Sequence, residues 1–339
     1  MKDAQEGRKL AENALDEVST DHIRLLTKVA RMYHERGMRQ PQIAQQLHIS
    51  QPRVSRLLKR AVDLGIVRTT VNAPRGVYAD LEEQIEEEFG LTEVIVADTD
   101  DHADENQVMR ALGSAAAVYL ETTLMGGERI GVSSWSSTIL ATVEAMHSRP
   151  TPVADQVVQM LGGVGNVTAQ TQATRITGRL AALTGAQAVY LQAPGLLASG
   201  DMRQMFVTDP NIEPVLRACD DLTMALVGIG SVEPSPLLRE SGNAFAENEL
   251  PALREAGAVG DVCIRFFDES GKHLESALDD RVLGITATRL RAIPRRVAVA
   301  GGTRKTTAIK AALLGGWVNV LITDLQVARR LVPPPTPAE

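Results

Sequence analysis

Residues 296–324 read RVAVAGGTRKTTAIKAALLGGWVNVLITD, and this stretch decides the fold. Arg296–Ala300 is a short apolar run of the kind that fills a buried strand. Gly301 and Gly302 end it and permit close backbone approach at the strand's carboxyl end. Thr306–Leu314 then places Ala, Ile and Leu at helical spacing, and Val318–Thr323 returns to a β-branched run. Strand, glycine turn, helix and strand in that order form the crossover unit of a parallel sheet. Lys305 stands at the helix start, directed back over the turn, whereas Lys310 reads as a solvated surface residue. The GxxxxGK[ST] phosphate loop is absent, so nucleotide hydrolysis has no support.

The alternation continues upstream. Strands are expected at Glu93–Ala97, Arg129–Val132, Val157–Met160, Ala188–Leu191, Leu222–Gly228 and Val262–Phe267. Helices are expected at Gln107–Leu124, Thr138–His147 and Thr168–Thr184. This pattern predicts an open, mostly parallel α/β sheet with ligand at the carboxyl ends of its strands. Ahead of it, Leu81–Phe89 (LEEQIEEEF) is an acidic helix, read either as a solvated face or as an oligomer contact through Leu81, Ile85 and Phe89.

Three stretches of this α/β part carry unusual chemistry. Gly131–Thr138 (GVSSWSST) sets five hydroxyls at a strand-to-helix junction, where free N–H groups and the helix dipole favour an anion. One serine would suffice as an N-cap. In Gly257–Asp268 (GAVGDVCIRFFD), Asp261 enters an apolar run; it either accepts hydrogen bonds from polyol hydroxyls or caps a turn. The turns Leu161-Gly162-Gly163 and Gly228-Ile229-Gly230-Ser231 also follow strands and would converge on the same cleft.

The front of the chain differs in charge. Thr20–Arg75 holds 11 Lys and Arg against 3 Asp and Glu, within a chain of net charge −7. That asymmetry points to a nucleic-acid partner. Ile23, Leu26, Val29, Ala30 and Tyr33 recur at helical spacing up to Gly37. Pro41–Leu58 (PQIAQQLHISQPRVSRLL) then reads as a helix-turn-helix: Ala44 allows close approach, Ile49 plugs the turn, Ser50 caps the second helix and Val54 anchors it. Gln51, Arg53, Ser55, Arg56 and Lys59 would face outward toward the bases of double-stranded DNA, with Arg39 and Arg60 on phosphates. Ile66–Val71, with Arg68, is expected to form a small wing.

Composition closes other routes. Cys219 and Cys263 lack metal-site spacing and read as buried thiols of a reducing cytoplasm. No metal or cofactor is expected. The sequence shows neither a secretory leader nor 18 unbroken apolar residues, so no membrane partner is expected. Aromatics at 3% offer little for base stacking.

Several ordered blocks resemble the SorC family of sugar-responsive bacterial transcription regulators over nearly the whole chain. At the front these are Ile43-Ala44, Leu47, Ile49-Ser50 and Val54-Ser55-Arg56-Leu57-Leu58. At the rear they are Val227–Gly230, Gly257–Asp261, Phe267-Asp268 with Gly271, Val297–Gly302 through Lys305, and Asn319–Asp324. The resemblance implies a winged helix-turn-helix followed by a Rossmann-like α/β effector domain similar to sugar-phosphate isomerases and deaminases. It implies a phosphorylated sugar or polyol effector, a homo-oligomer (tetramer or dimer) and effector-dependent operator binding. Carried over by position, the effector site comprises Ser134, Ser136, Ser137, Thr138, Gly163, Asp261, Gly302 and Lys305, with Arg239 and Gln172 as further contacts. One departure is Trp135 in a loop the family often makes richer in glycine; it would narrow the site or stack on ligand.

The expected organisation is an arm over 1–19, a DNA-binding domain over 20–75, an effector and oligomerisation domain over 76–330 and a disordered tail over 331–339. The rival reading is a sugar-phosphate isomerase or deaminase fused to a DNA-binding head. It is the weaker one, because no histidine falls in a glycine turn or the hydroxyl loop to serve as base, leaving Asp261 as the only candidate.

Overall fold

The computed structural model describes residues 20–67, 74, 76–243 and 249–332. The chain divides into two compact units that meet at residues 73 and 74.

The first unit holds three helices: α1 (Thr20–His34), α2 (Gln40–Leu47) and α3 (Gln51–Asp63). Leu26, Val29 and Met32 of α1 bury against Ile43 and Ala44 of α2 and against Val54, Leu57, Leu58 and Ala61 of α3. His48 turns the chain in the left-handed region (φ 52°), and its N–H and that of Ile49 return to carbonyls at the end of α2. Ser50 does occupy the N-cap of α3, but its hydroxyl makes no capping bond. Of the expected wing, Ile66 and Val67 form a bend after Gly65, and the Val67 N–H returns to the Ala61 carbonyl. Its remainder, with Arg68, and the arm over 1–19 lie outside the described residues.

The second unit is built on a seven-stranded parallel sheet: β1 (Glu93–Ala97), β2 (Glu128–Val132), β3 (Ala154–Gln159), β4 (Gln187–Val189), β5 (Met224–Val227), β9 (Arg295–Val299) and β10 (Val320–Asp324), in the order β1-β10-β9-β5-β2-β3-β4. Because side chains alternate across a strand, Val297 and Val299 face one layer while Ala298 and Ala300 face the other. The first layer is α5 (Glu105–Thr123), α6 (Ser137–Ala145) and α7 (Val167–Thr184); the second is α4 (Ala79–Phe89), α8 (Thr306–Leu314) and α9 (Leu325–Leu331). Shorter helices lie between residues 200 and 292. Helix α9 runs through Leu331, one residue into the expected tail; residues 333–339 lie outside the described residues.

Two expectations are corrected here. Val262–Phe267 is not one strand but a hairpin, in which β7 (Gly260–Val262) and β8 (Arg265–Phe267) join β6 (Gly230–Ser231) in a small antiparallel sheet. The turn is Cys263-Ile264, both with positive φ (54° and 61°). A two-residue hairpin needs this geometry, yet neither residue advertises it. Helix α4 is likewise no merely solvated acidic face. The carboxylates of Glu82 and Glu86 accept the outward N–H groups of Val96 and Val94 (2.8 and 2.7 Å), closing the edge strand β1.

Candidate functional site

All seven parallel strands end on one side, and the loops that leave β1, β2, β5 and β9 line a cleft there. A pocket of about 90 Å³ under the hydroxyl loop shares Ser137, Thr138, Gly230, Ser231, Ser235 and Lys305 with a wider cavity of about 490 Å³. The glycines of the β5 turn make room: a Cβ on Gly228 would stand 2.5 Å from Ser136 Oγ, and one on Gly230 would stand 1.9 Å from Asp261 Oδ1.

The hydrogen bonds of the loop decide which hydroxyls remain for a ligand. Ser134 Oγ is buried and donates to the Leu161 carbonyl (2.6 Å). Thr138 Oγ1 donates to the Val299 carbonyl (2.7 Å), so the 3.0 Å contact between Ser136 and Thr138 spends the Ser136 proton. Ser136 Oγ also accepts the Ile139 N–H as the cap of α6. Ser133 is hydrogen-bonded to the Cys263 thiol. Ser137 is therefore the hydroxyl of this loop without a hydrogen bond among the described residues, beside the Ser137 and Thr138 amides that open α6 without intrahelical acceptors.

Lys305 closes a 3-10 turn, Thr303–Lys305, behind Gly302, whose φ is 87°. Its ammonium has no hydrogen-bond or ion-pair partner among the described residues, and burial pushes its amine below the ordinary value although Asp261 pulls the other way. Burial also pushes Asp261 up to about 6, opposed by the Ile264 amide and by Lys305. Asp261 Oδ2 accepts that Ile264 N–H at 2.9 Å, and its carboxylate also lines the pocket. Asp261 thus caps the hairpin turn, one of its two readings, while still lining the cleft. Cys263, under the same floor, is pushed up to about 12 by burial and is an unreactive thiol.

Of the expected site residues, Ser136, Ser137, Thr138, Asp261, Gly302 and Lys305 converge on the cleft. Ser134 and Gly163 do not: Gly163 packs on Gln159 and bridges to Pro194 behind the pocket wall. Arg239 and Gln172 also lie off the lining. Trp135 narrows the pocket, its indole N–H tied to the Gly162 carbonyl (3.1 Å). Sequence reasoning missed Asp324, whose carboxylate accepts the Gly302 N–H (2.7 Å) and those of Gln326 and Val327 at the start of α9. An Asp directly before a helix was the available signal. It also missed the loop with Asp100 and Asp101, which lines the wider cavity. No group of His, Cys, Asp and Glu among the described residues is arranged to hold a metal ion.

In the first unit, Gln51, Arg53, Ser55, Arg56 and Lys59 are all exposed on α3, opposite its buried Val54, Leu57 and Leu58. This is the arrangement by which a second helix presents bidentate Gln and Arg side chains to a major groove.

No helix among the described residues is long and apolar enough to cross a membrane. Comparison with known proteins finds a family model, "Putative sugar-binding domain", matching residues 76–333, and a "Homeodomain-like domain" model matching residues 23–71. The chain is 34% identical to the deoxyribonucleoside regulator of Bacillus subtilis over 91% of its own length and 97% of that protein's. The full-length sorbitol operon regulator SorC of Klebsiella pneumoniae superposes with a TM-score of 0.68 at 29% identity, covering 92% of this chain and 99% of that one. A sugar-binding domain of the transcriptional regulator DeoR from Pseudomonas syringae pv. tomato is 40% identical, covers 76% of this chain and 100% of its own, and has a TM-score of 0.61. A helix-turn-helix with an exposed reading face, followed by a parallel α/β unit that matches these regulators end to end, identifies the chain as a member of the SorC family of sugar-binding transcriptional regulators.

Proposed function

We propose that this regulator binds operator DNA through α3 and that a phosphorylated sugar or polyol in the cleft sets its affinity for that DNA. The observation that carries the reading is the half-buried Lys305 ammonium, without a hydrogen bond or ion pair among the described residues, set in the same pocket as the Ser137 hydroxyl and the N-terminus of α6. A partly desolvated cation is stabilised by an anion, and amides at a helix start complete the anion's shell. Asp261 sits in the same pocket and accepts from ligand hydroxyls. Ser136 and Thr138 shape the loop, and Gly302 keeps the backbone close. The relatives' names, a deoxyribonucleoside regulator and a sorbitol operon regulator, fit a small carbohydrate effector. The protein acts in the cytoplasm as a homo-oligomer, so that two reading heads meet two half-sites. The relatives are regulators, and the chain is read as a non-enzyme. The test is a melting-temperature screen of matched pairs, such as sorbitol with sorbitol 6-phosphate and ribose with ribose 5-phosphate. A rise with the phosphorylated member of a pair alone supports the reading; equal rises within every pair reject the phosphate.

A further inference from the structure

We propose that α4 is a zipper carrying the state of the cleft to the segment that leads into the DNA-binding unit, with Tyr78 and Asp98 as its terminal rung; this rests on the reading of the chain as an effector-controlled regulator. Three side chains, two on the helix and one on Tyr78 just before it, join α4 to the edge strand and the residue following it. Glu86 takes the Val94 N–H, Glu82 takes the Val96 N–H, and the Tyr78 hydroxyl donates to the Asp98 carboxylate. The rungs step by four residues on the helix and by two on the strand. Four helical residues rise about 6 Å and two strand residues about 6.6 Å, so the two repeats stay in register over the whole contact.

The last rung lies at both a cleft end and a linker end. Asp98 opens the loop whose Asp100 and Asp101 line the wider cavity. Gly76 lies over the same carboxylate: a Cβ there would stand 3.1 Å from Asp98 Oδ2 in a backbone of φ 81°, a fit that only glycine allows. Tyr78 and Gly76 stand just inside the boundary at residues 73 and 74.

From the other side, the loop is clamped to the lysine turn by an unbroken series of bonds. The Gly302 N–H donates to Asp324 (2.7 Å), and Asp324 caps the start of α9 by accepting from Gln326 and Val327. Gln326 Nε2 then donates to the Asp101 carbonyl (2.7 Å), and Arg329 pairs with the Asp101 carboxylate (2.9 Å). A ligand that draws on Lys305 and the Gly302 turn pulls on Asp324, hence on α9 and Asp101, and hence on the rung that holds Tyr78. Coupling along this series requires that a disturbance at one end be felt at the other.

Amide hydrogen exchange on the full chain, without effector or DNA, reads this directly. Tyr78→Phe removes one hydroxyl. Loss of a hydrogen bond to a charged group is expected to speed exchange about tenfold at Val94 and Val96 and also at Gly302, the far end of the series. Asp101→Asn, which loosens the clamp on the α9 side, is expected to speed exchange at Val96 and in the first turn of α4. Should Tyr78→Phe fold poorly, Asp98→Asn breaks the same rung from the strand side and carries the same expectation. Changes confined to residues 76–82 for Tyr78→Phe, or to residues 98–104 for Asp101→Asn, overturn the proposal and leave α4 a cover for the sheet edge. The readout uses neither operator nor effector, so its failure leaves the regulator reading intact. A chain whose DNA affinity no sugar phosphate alters would sink that reading while the exchange result stood.

Discussion

Lys305 is half-buried, has no hydrogen bond or ion pair among the described residues and feels the Asp261 carboxylate of its own pocket; it is the group on which the proposed anion would rest. Lys305→Ala should therefore weaken effector binding at least tenfold in calorimetry while leaving the melting temperature of the free protein unchanged or higher; a lower melting temperature with unaltered affinity would mark Lys305 as structural. Asp261 makes a pH-dependent contribution of definite sign. Its carboxyl is raised from 3.8 to about 6, so the folded chain binds the extra proton, and this stabilisation is complete below about pH 4 and lost as pH rises through 6. Asp261→Asn should thus flatten the fall in stability between pH 4 and 6.5, measured by urea unfolding at each pH; parallel curves for the two proteins would refute the assignment. At this scale the sequence was half legible. Lys305 and Asp261 stand out in the sequence as a lysine at a glycine turn and a carboxylate in an apolar run, and both line the pocket. The five hydroxyls misled, because composition counts donors and cannot show that the protons of Ser134, Ser136 and Thr138 are already spent on Leu161, Thr138 and Val299.

Elements with local signals were read almost to the residue. Glu93–Ala97 and Thr306–Leu314 carry their own periodicity, and α3 separates buried Val54, Leu57 and Leu58 from exposed Gln51, Arg53 and Arg56 without help from elsewhere. Arg56→Ala should cost roughly 1–3 kcal/mol of specific operator affinity and relax preference at one base position, as read by gel shift at fixed salt; an equal loss on every sequence would place Arg56 on phosphate instead. The β7–β8 hairpin was illegible for the opposite reason. Its turn residues obey tertiary context: full burial of Ile264 contributes about 2–5 kcal/mol, which outweighs the roughly 1–3 kcal/mol cost of its positive φ. Helix α4 was misread because charge spacing on a helix does not reveal that a bare strand edge lies beside it. Glu82→Ala combined with Glu86→Ala should lower stability by about 2 kcal/mol or more and promote self-association through β1, visible by light scattering; a monodisperse variant as stable as the parent would contradict this role.

Over the whole molecule, the basic front segment and the acidic remainder correspond to two units with separate cores, one carrying the reading helix and the other the cleft. Domain order and the parallel sheet were legible because alternating strands and helices leave few other architectures. The strand order was not, since pairing β1 with β10 joins residues more than two hundred positions apart and no local pattern encodes it. The central claim is that an anion at Lys305 alters how the front unit holds DNA. It is tested most directly by fluorescence anisotropy of the full chain on DNA from upstream of its own gene, titrated with matched sugars and sugar phosphates, for the wild type and Lys305→Ala in parallel. At least one phosphorylated compound should shift the wild-type affinity tenfold or more and leave Lys305→Ala unmoved. An identical shift in both proteins, or no shift with any compound, would contradict it.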